Sequence, residues 1–243
     1  MIQVFDELRL FRGNPFVIND HLSIRHPTLG EICDYGEREY YSLVSLIVST
    51  PSDLKVQLFD SGIDYESISE FDLFLSLYPM FSIEKTGILF GDFDFKKLSH
   101  AINLDTQEII LKDRENGFVF DKAIYEMMVT YLRKLHGLKK NTEVAGNEIT
   151  KKIMIEEARR AMERNAKKSF SSFLLPMASA LTNTSEFKFS YRDVWDVPIY
   201  VFMDSIKRIQ KIKHYNFTMS GVYSGNVDIK KIPKKDLDWM GEV

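Results

Sequence analysis

Apolar positions recur along most of this chain at intervals of three and four. The clearest run is Ile124, Met127, Met128, Tyr131, Leu132 and Leu135, one stripe of an amphipathic helix that starts near Asp121 and that Gly137 closes. Residues 1–27 read as irregular to β, with Val17, Ile18, Leu22 and Ile24 alternating with polar neighbours. After Pro27, Thr28 and Glu31 form a capping box for a helix that breaks at Gly36. It resumes with Tyr41, Val44 or Ser45, and Val48 on one face, and Pro51 ends it. Ser52 or Asp53 can cap the next piece, which Gly62 closes in the left-handed conformation. A third helix over 67–77 turns Ile68, Phe71, Phe74 and Leu75 inward.

Between residues 90 and 120 the period changes to short extended runs separated by turn formers at 103–107 and 114–117, which predicts a hairpin or meander. Residues 147–168 are helix-prone but thinly apolar, with only Ile149, Ile153, Ala158, Ala161 and Met162 in a weak stripe, and such a helix projects from its domain. Residues 173–182 read as a short buried helix containing Pro176. In 190–209, Ser190 and Asp193 make a second capping box, Asp196 caps a further helix with Pro198 in its first turn, and Trp195 can staple onto Tyr200. Ile199, Phe202, Ile206 and Ile209 then form a core stripe. The pattern predicts a mainly α fold with a small β-hairpin or meander insertion (α+β) in a single domain, 1–243. Its parts are a helical layer (28–89), the β insertion (90–120), a helical core (121–215) and a C-terminal arm (216–243).

Composition narrows the class. With 243 residues and 44% hydrophobic content the chain can bury a sizeable core. The apolar stretch Leu43–Val48 is far too short to cross a bilayer, and the acidic N-terminus lacks the order of a signal peptide, so a protein made and kept in a cytoplasm is expected. The single cysteine, Cys33, excludes a disulfide framework within one chain, and the five histidines show no HxxxH or HxH spacing. Charge is polarised: residues 1–120 hold 10 Lys/Arg against 20 Asp/Glu, and residues 121–243 hold 22 against 15. Such halves favour head-to-tail self-association or packing of one half on the other, unless both are simply solvated.

Candidate chemistry is sparse. Asp92 and Asp94 would share one face of a strand and could hold Mg²⁺ with a third acid, although the same pattern suits a half-buried edge strand carrying Phe93 and Phe95 inward. GxxxxGK[ST], GxGxxG and GxSxG patterns are absent, and Cys33 lies among acids that would raise its thiol pKa. Lys207, Arg208, Lys211 and Lys213, with Lys230, Lys231, Lys234 and Lys235, could meet phosphates but also suit a helix C-terminus. The expectation is a non-enzyme without cofactor or metal, not bound to membrane, and without nucleic acid as a partner; the remote alternative, a metal-dependent nucleic-acid enzyme such as a nuclease, rests on Asp92 and Asp94 alone. The aromatic collar Tyr191, Trp195 and Tyr200, together with Trp239, is the candidate docking surface.

Several stretches are similar to a family of tail-assembly proteins of tailed bacteriophages of Gram-positive hosts. They are "HPTLGEICDYGEREYYSLVSLIVSTPSDLKVQLFDSGIDYESISEFDLF", "GILFGDFDF", "GNEITKKIMIEEARR", "VWDVPIYVFMDSIKRIQKIK" and "YSGNVDIKKIPKKDLDWMGEV". The resemblance implies a tail or baseplate-hub assembly protein in the host cytoplasm, and more loosely a chaperone that keeps the apolar tape-measure protein soluble in a helix-lined groove and self-associates along it. The alternative is a permanent component of the virion tail or baseplate, docking through 147–168 and the ending "IPKKDLDWMGEV".

Overall fold

One side chain starts the first element. Asp6 accepts from the backbone N–H groups of Leu8 and Arg9 and caps α1 (Glu7–Arg12) in the computed structural model, which describes residues 6–242. This helix departs from the irregular-to-β reading of 1–27, of which residues 1–5 lie outside the described residues; it is too short to show a stripe and buries only Leu10. The expected β character is present as a two-stranded hairpin of β1 (Phe16–Val17) and β2 (Ser23–Ile24).

The capping box at Thr28 closes as read, Thr28 Oγ1 accepting from Glu31 N at 3.1 Å and Glu31 Oε2 from Thr28 N at 2.9 Å, and it starts α2 (Leu29–Tyr35). The helix α3 (Glu37–Ile47) resumes after Gly36, but its inward stripe is Tyr40, Leu43, Val44 and Ile47. Of the expected face Val44 and Val48 are buried and Tyr41 is half-buried, while Ser45 is exposed; the stripe is widened by Tyr40, Leu43 and Ile47. Tyr40 can go inside because its hydroxyl finds the His136 ring at 2.5 Å. Asp53 does not cap α4 (Lys55–Asp60) either: it accepts from Thr50 N at 2.8 Å and so braces the preceding turn. Ser69 caps α5 (Glu70–Leu77), which buries Phe71, Leu73, Phe74 and Leu75. The sequence reading has no counterpart for α6 (Ile83–Phe90).

The β insertion is an antiparallel meander of β3 (Leu98–Ile102), β4 (Ile109–Asp113) and β5 (Val119–Phe120) in that spatial order. Phe95, Phe118 and Phe120 join Phe74, Phe81 and Phe90 in an aromatic core beneath it, with Phe74 and Phe120 stacked at 5.3 Å between centroids. Asp121 then caps α7 (Lys122–His136), and Gly137 at φ 64° closes it in the left-handed region where a Cβ would be strained.

In α8 (Glu148–Ala166) the expected stripe holds only in part: Ala158 packs against the small core and Ala161 is half-buried, but Ile149 and Ile153 are exposed, while Lys151 and Ile155 are buried and the helix packs on α4. Ile155 closes a second small core of Val56, Leu58, Tyr65 and Leu73. Lys151 is buried because Asp64 Oδ1 and Glu66 Oε2 meet its ammonium at 2.9 and 2.8 Å. From Met162 onward the helix is exposed on every side, so its C-terminal end does project.

The short helix α9 (Leu174–Thr182) buries Leu174, Ala178 and Leu181, and a 3₁₀ turn over Asp193–Asp196 leads into α10 (Ile199–Tyr223). The Ser190–Asp193 box is present, Ser190 Oγ meeting Asp193 Oδ2 at 2.6 Å. Asp196 ends that turn instead of capping α10, whose N-cap is Pro198. Pro198 pairs as an isolated antiparallel bridge with Thr28, and Ile199 N donates to Pro27 O at 2.9 Å. One core holds Ile32 and Tyr40 with Leu132, Leu174, Val197 and Phe202, joining residues from both ends of the chain. The expected arm at 216 falls inside α10. Beyond that helix the chain folds back, with Arg208 donating to the carbonyls of Trp239 and Gly241, both at 2.8 Å, and Lys211 to that of Glu242 at 2.6 Å.

Candidate functional site

The four aromatic residues singled out from the sequence do not form one collar. Tyr191 and Trp195 meet edge to face at 6.4 Å on the 3₁₀ turn. Tyr200, half-buried one helical turn further on, lines a different hollow with Glu7, Lys134, Asp204 and Arg208, so the expected Trp195–Tyr200 staple gives way to Trp195 on Tyr191. Burial first, and the Asp204 carboxylate second, push the Tyr200 phenol pKa up. Trp239 lies on the folded-back C-terminal segment, its carbonyl held by Arg208.

Trp195 is seated by α2. A Cβ on Gly30 would stand 3.0 Å from the Trp195 carbonyl oxygen and 3.4 Å from its Cβ, so only glycine lets the two segments approach this closely. Leu29 N donates to Val197 O at 3.0 Å and fixes the register. Between α2, α9 and this turn lies an apolar hollow of about 170 Å³, floored by Leu29, Leu174 and Ala178 and rimmed by Cys33, Leu175 and Trp195. Leu175 is 66% and Tyr191 71% exposed, and Phe170, Phe173 and Phe189 also stand out to solvent in this stretch. Scattered apolar side chains are ordinary on a surface; of these, Leu175 lines the hollow itself and Tyr191 meets Trp195 at its rim.

Glu37, at the start of α3, completes the site's frame. Its Oε1 accepts from Phe173 N at 2.7 Å and Leu174 N at 2.9 Å, and Ser172 Oγ donates to its Oε2 at 2.5 Å. A carboxylate from the other end of the chain therefore caps α9, whose own cap residue supplies no side-chain bond. This link has no sequence signal, because 136 residues separate Glu37 from Phe173.

The carboxylate pair expected for metal has no strand beneath it. Residues 91–94 form a turn, Asp94 caps a 3₁₀ turn through Lys96 N at 3.0 Å, and Asp92 stands exposed. Among the described residues no group of three or more His, Cys, Asp or Glu is placed to hold a metal ion. A hollow of about 690 Å³ between α5, α7 and residues 140–144 has most of its charges in pairs: Glu70 with Arg133 at 3.1 Å and with Lys140, Glu66 with Lys151 at 2.8 Å, and Glu143 with Lys55 at 2.5 Å, while Lys122 and Glu126 also line it. Lys207 is exposed, while Lys213 is taken up by Thr184 at 2.9 Å and Glu186 at 3.5 Å.

Two buried histidines were not singled out from the sequence. His136 Nδ1 donates to Leu132 O at 2.8 Å, which makes Nε2 the acceptor for the Tyr40 hydroxyl. His26 Nε2 meets the Tyr131 hydroxyl at 2.6 Å, and its Nδ1 is buried without a partner. Burial lowers both imidazole pKa values to about 4.

Comparison with known proteins bears on the last third of the chain. Residues 166–243 match the family model of the YomV second domain. That family is of phage derivation, and its description carries no tail, baseplate or chaperone role. No curated protein and no solved structure matches the chain. The YomV-like stretch starts at the last residue of α8 and takes in α9, the 3₁₀ turn, α10 and the folded-back segment, so it contains Tyr191, Trp195, Tyr200 and Trp239. Among the described residues no helix is long and apolar enough to cross a membrane.

Proposed function

We propose that this chain is a non-enzymatic protein-binding module of phage tail assembly that covers an apolar helical segment of a client, the tape-measure protein or a baseplate protein, in the host cytoplasm. One observation carries the reading: the apolar hollow between α2 and α9, with Trp195 and the exposed Leu175 at its rim and Tyr191 edge to face on Trp195. An amphipathic helix needs such an apolar recess with rigid aromatic rims, and Glu37 and Gly30 hold both walls of this one in place. The match of that same stretch to a phage-derived family supports the setting.

Co-expression with a tape-measure protein from the same phage genome tests the proposal. The wild-type chain should keep the client soluble and co-purify with it, and Leu175→Glu, a change at an exposed position, should lower the co-purified fraction at least tenfold. A client that stays insoluble sinks the reading, and capture indifferent to Leu175→Glu moves it off this surface. The alternative role, a permanent tail or baseplate component, draws on the exposed end of α8. Mass spectrometry of purified virions separates the two, since a component is abundant in the particle and a chaperone is missing from it.

A further inference from the structure

The strand β3 is an edge of the meander, and nothing in its sequence blunts that edge. Leu98, Ser99, His100, Ala101 and Ile102 include no Lys, Arg, Asp, Glu or Pro, the usual guards against edge-to-edge pairing. The ladder fixes which groups point outward. Asn103 N donates to Glu108 O at 2.9 Å, so Asn103 and Glu108 are a hydrogen-bonded pair; in alternation Ala101 bonds Ile110 and Ser99 bonds Lys112. The N–H and C=O of His100 and Ile102 therefore face away from β4. Leu98 closes the run at one end, its N–H bonded to Phe95 O and its carbonyl 3.5 Å from the Tyr78 hydroxyl.

We infer that β3 pairs antiparallel with β3 of a second copy of this chain, about a two-fold axis at Ala101. This register is the one in which all the free groups find partners, because His100 of each copy exchanges both bonds with Ile102 of the other. It makes four hydrogen bonds and joins two three-stranded meanders into one six-stranded sheet. The flanking residues agree with it. Lys97 comes opposite Asp105 of the second copy, and Leu98 opposite Leu104, which is 84% exposed in the single chain. Lys97 is available for this, as its contact to Glu115 is 3.7 Å long with both side chains mostly exposed. Ala101 at the axis is small enough for the non-hydrogen-bonded close approach of about 4.5 Å between Cα atoms. The pairing stands independently of the client-binding surface, which lies on α9.

Cysteine cross-linking and sedimentation test it. In a Cys33→Ser background, Ala101→Cys should oxidise to a covalent dimer, since two cysteines at about 4.5 Å between Cα atoms meet disulfide geometry. His100→Cys, which comes opposite Ile102, should cross-link far more slowly. Sedimentation of the wild-type chain should show a reversible dimer with Kd on the order of 10–100 µM, as suits a small interface. Ile102→Pro removes an outward donor without touching the bonds to β4 and should abolish the dimer. Lys97→Asp and Asp105→Lys should each weaken it about two- to fivefold, and the double exchange should restore it. A monomer at about 0.5 mM, cross-linking at His100→Cys as fast as at Ala101→Cys, or a dimer unmoved by Ile102→Pro each overturns the proposal.

Discussion

Lowering the pH from 7.5 to 5.2 tests the two buried histidine pairs. His26 and His136 are 8% and 9% exposed, and burial holds both rings neutral in the folded chain down to a pKa of about 4, against 6.5 when unfolded. The folded state binds the proton less well, so the pairs' full stability is present above pH 6.5 and is lost as pH falls from 6.5 towards 4. Integrating the difference in protons bound between pH 7.5 and 5.2 gives about 1–2 kcal/mol for each ring and about 3 kcal/mol for both. That is a large share of the roughly 5–15 kcal/mol that holds a domain together. The carboxylates held low by their partners, Asp60, Asp64, Glu66, Glu84, Asp113 and Glu186, start from 3.8 or 4.5 and so act mainly below this window. Urea unfolding at the two pH values measures the loss, and His136→Gln should roughly halve its pH-dependent part. Imidazole resonances followed by NMR give the direct check. If both rings titrate near pH 6.5, or stability is unchanged between 7.5 and 5.2, the burial argument fails.

Glu37→Ala removes the carboxylate that caps α9 and should cost about 1–2 kcal/mol, with faster proteolysis around residues 170–175 as its first sign. Unchanged cleavage there would mean that Ser172, whose Oγ accepts from Leu175 N at 2.9 Å, suffices as the cap of α9. Ile155→Ala empties the small core beneath α8 and should cost about 2–4 kcal/mol. Hydrogen exchange should then quicken in α4 and α8 before it does in α7; uniform quickening would mean that the small core and the main core unfold together.

Local signals were readable where a few neighbouring residues decide the outcome. The boxes Thr28–Glu31 and Ser190–Asp193 close as spaced, Gly62 and Gly137 take positive φ, and the turn formers at 103–107 and 114–117 bound the meander. What was legible only in part was the direction of faces. Apolarity pointed to Ile149 and Ile153 as the inner side of α8, but a lysine went inside because Asp64 and Glu66, some 85 residues earlier, surround its ammonium. Tyr40 joined the inner face of α3 for the same kind of reason, a hydroxyl satisfied by His136 from the far side of the core. The aromatic candidates were found by residue type, while their grouping depended on Gly30 and Glu37, whose roles exist only across the fold.

The charge split is where this difference matters most for function. Read along the chain, an acidic first half and a basic second half suggest subunits that attract each other head to tail. In the fold much of that attraction is internal: Glu7 binds Lys134, Asp60 binds Arg159, Asp64 and Glu66 bind Lys151, and Glu70 binds Arg133 and Lys140. Most of these bases come from α7 and α8, between the acidic first half and the YomV-like stretch. Charges paired within one chain steer little between chains, and those still exposed are screened beyond about 8–10 Å at physiological salt. That weighs against the head-to-tail reading of the charge split and leaves the apolar rim beside α9 and the edge of β3 as the surfaces on which the two proposals above rest. They lie on different elements, so a chain could hold a client with one and a second copy of itself with the other.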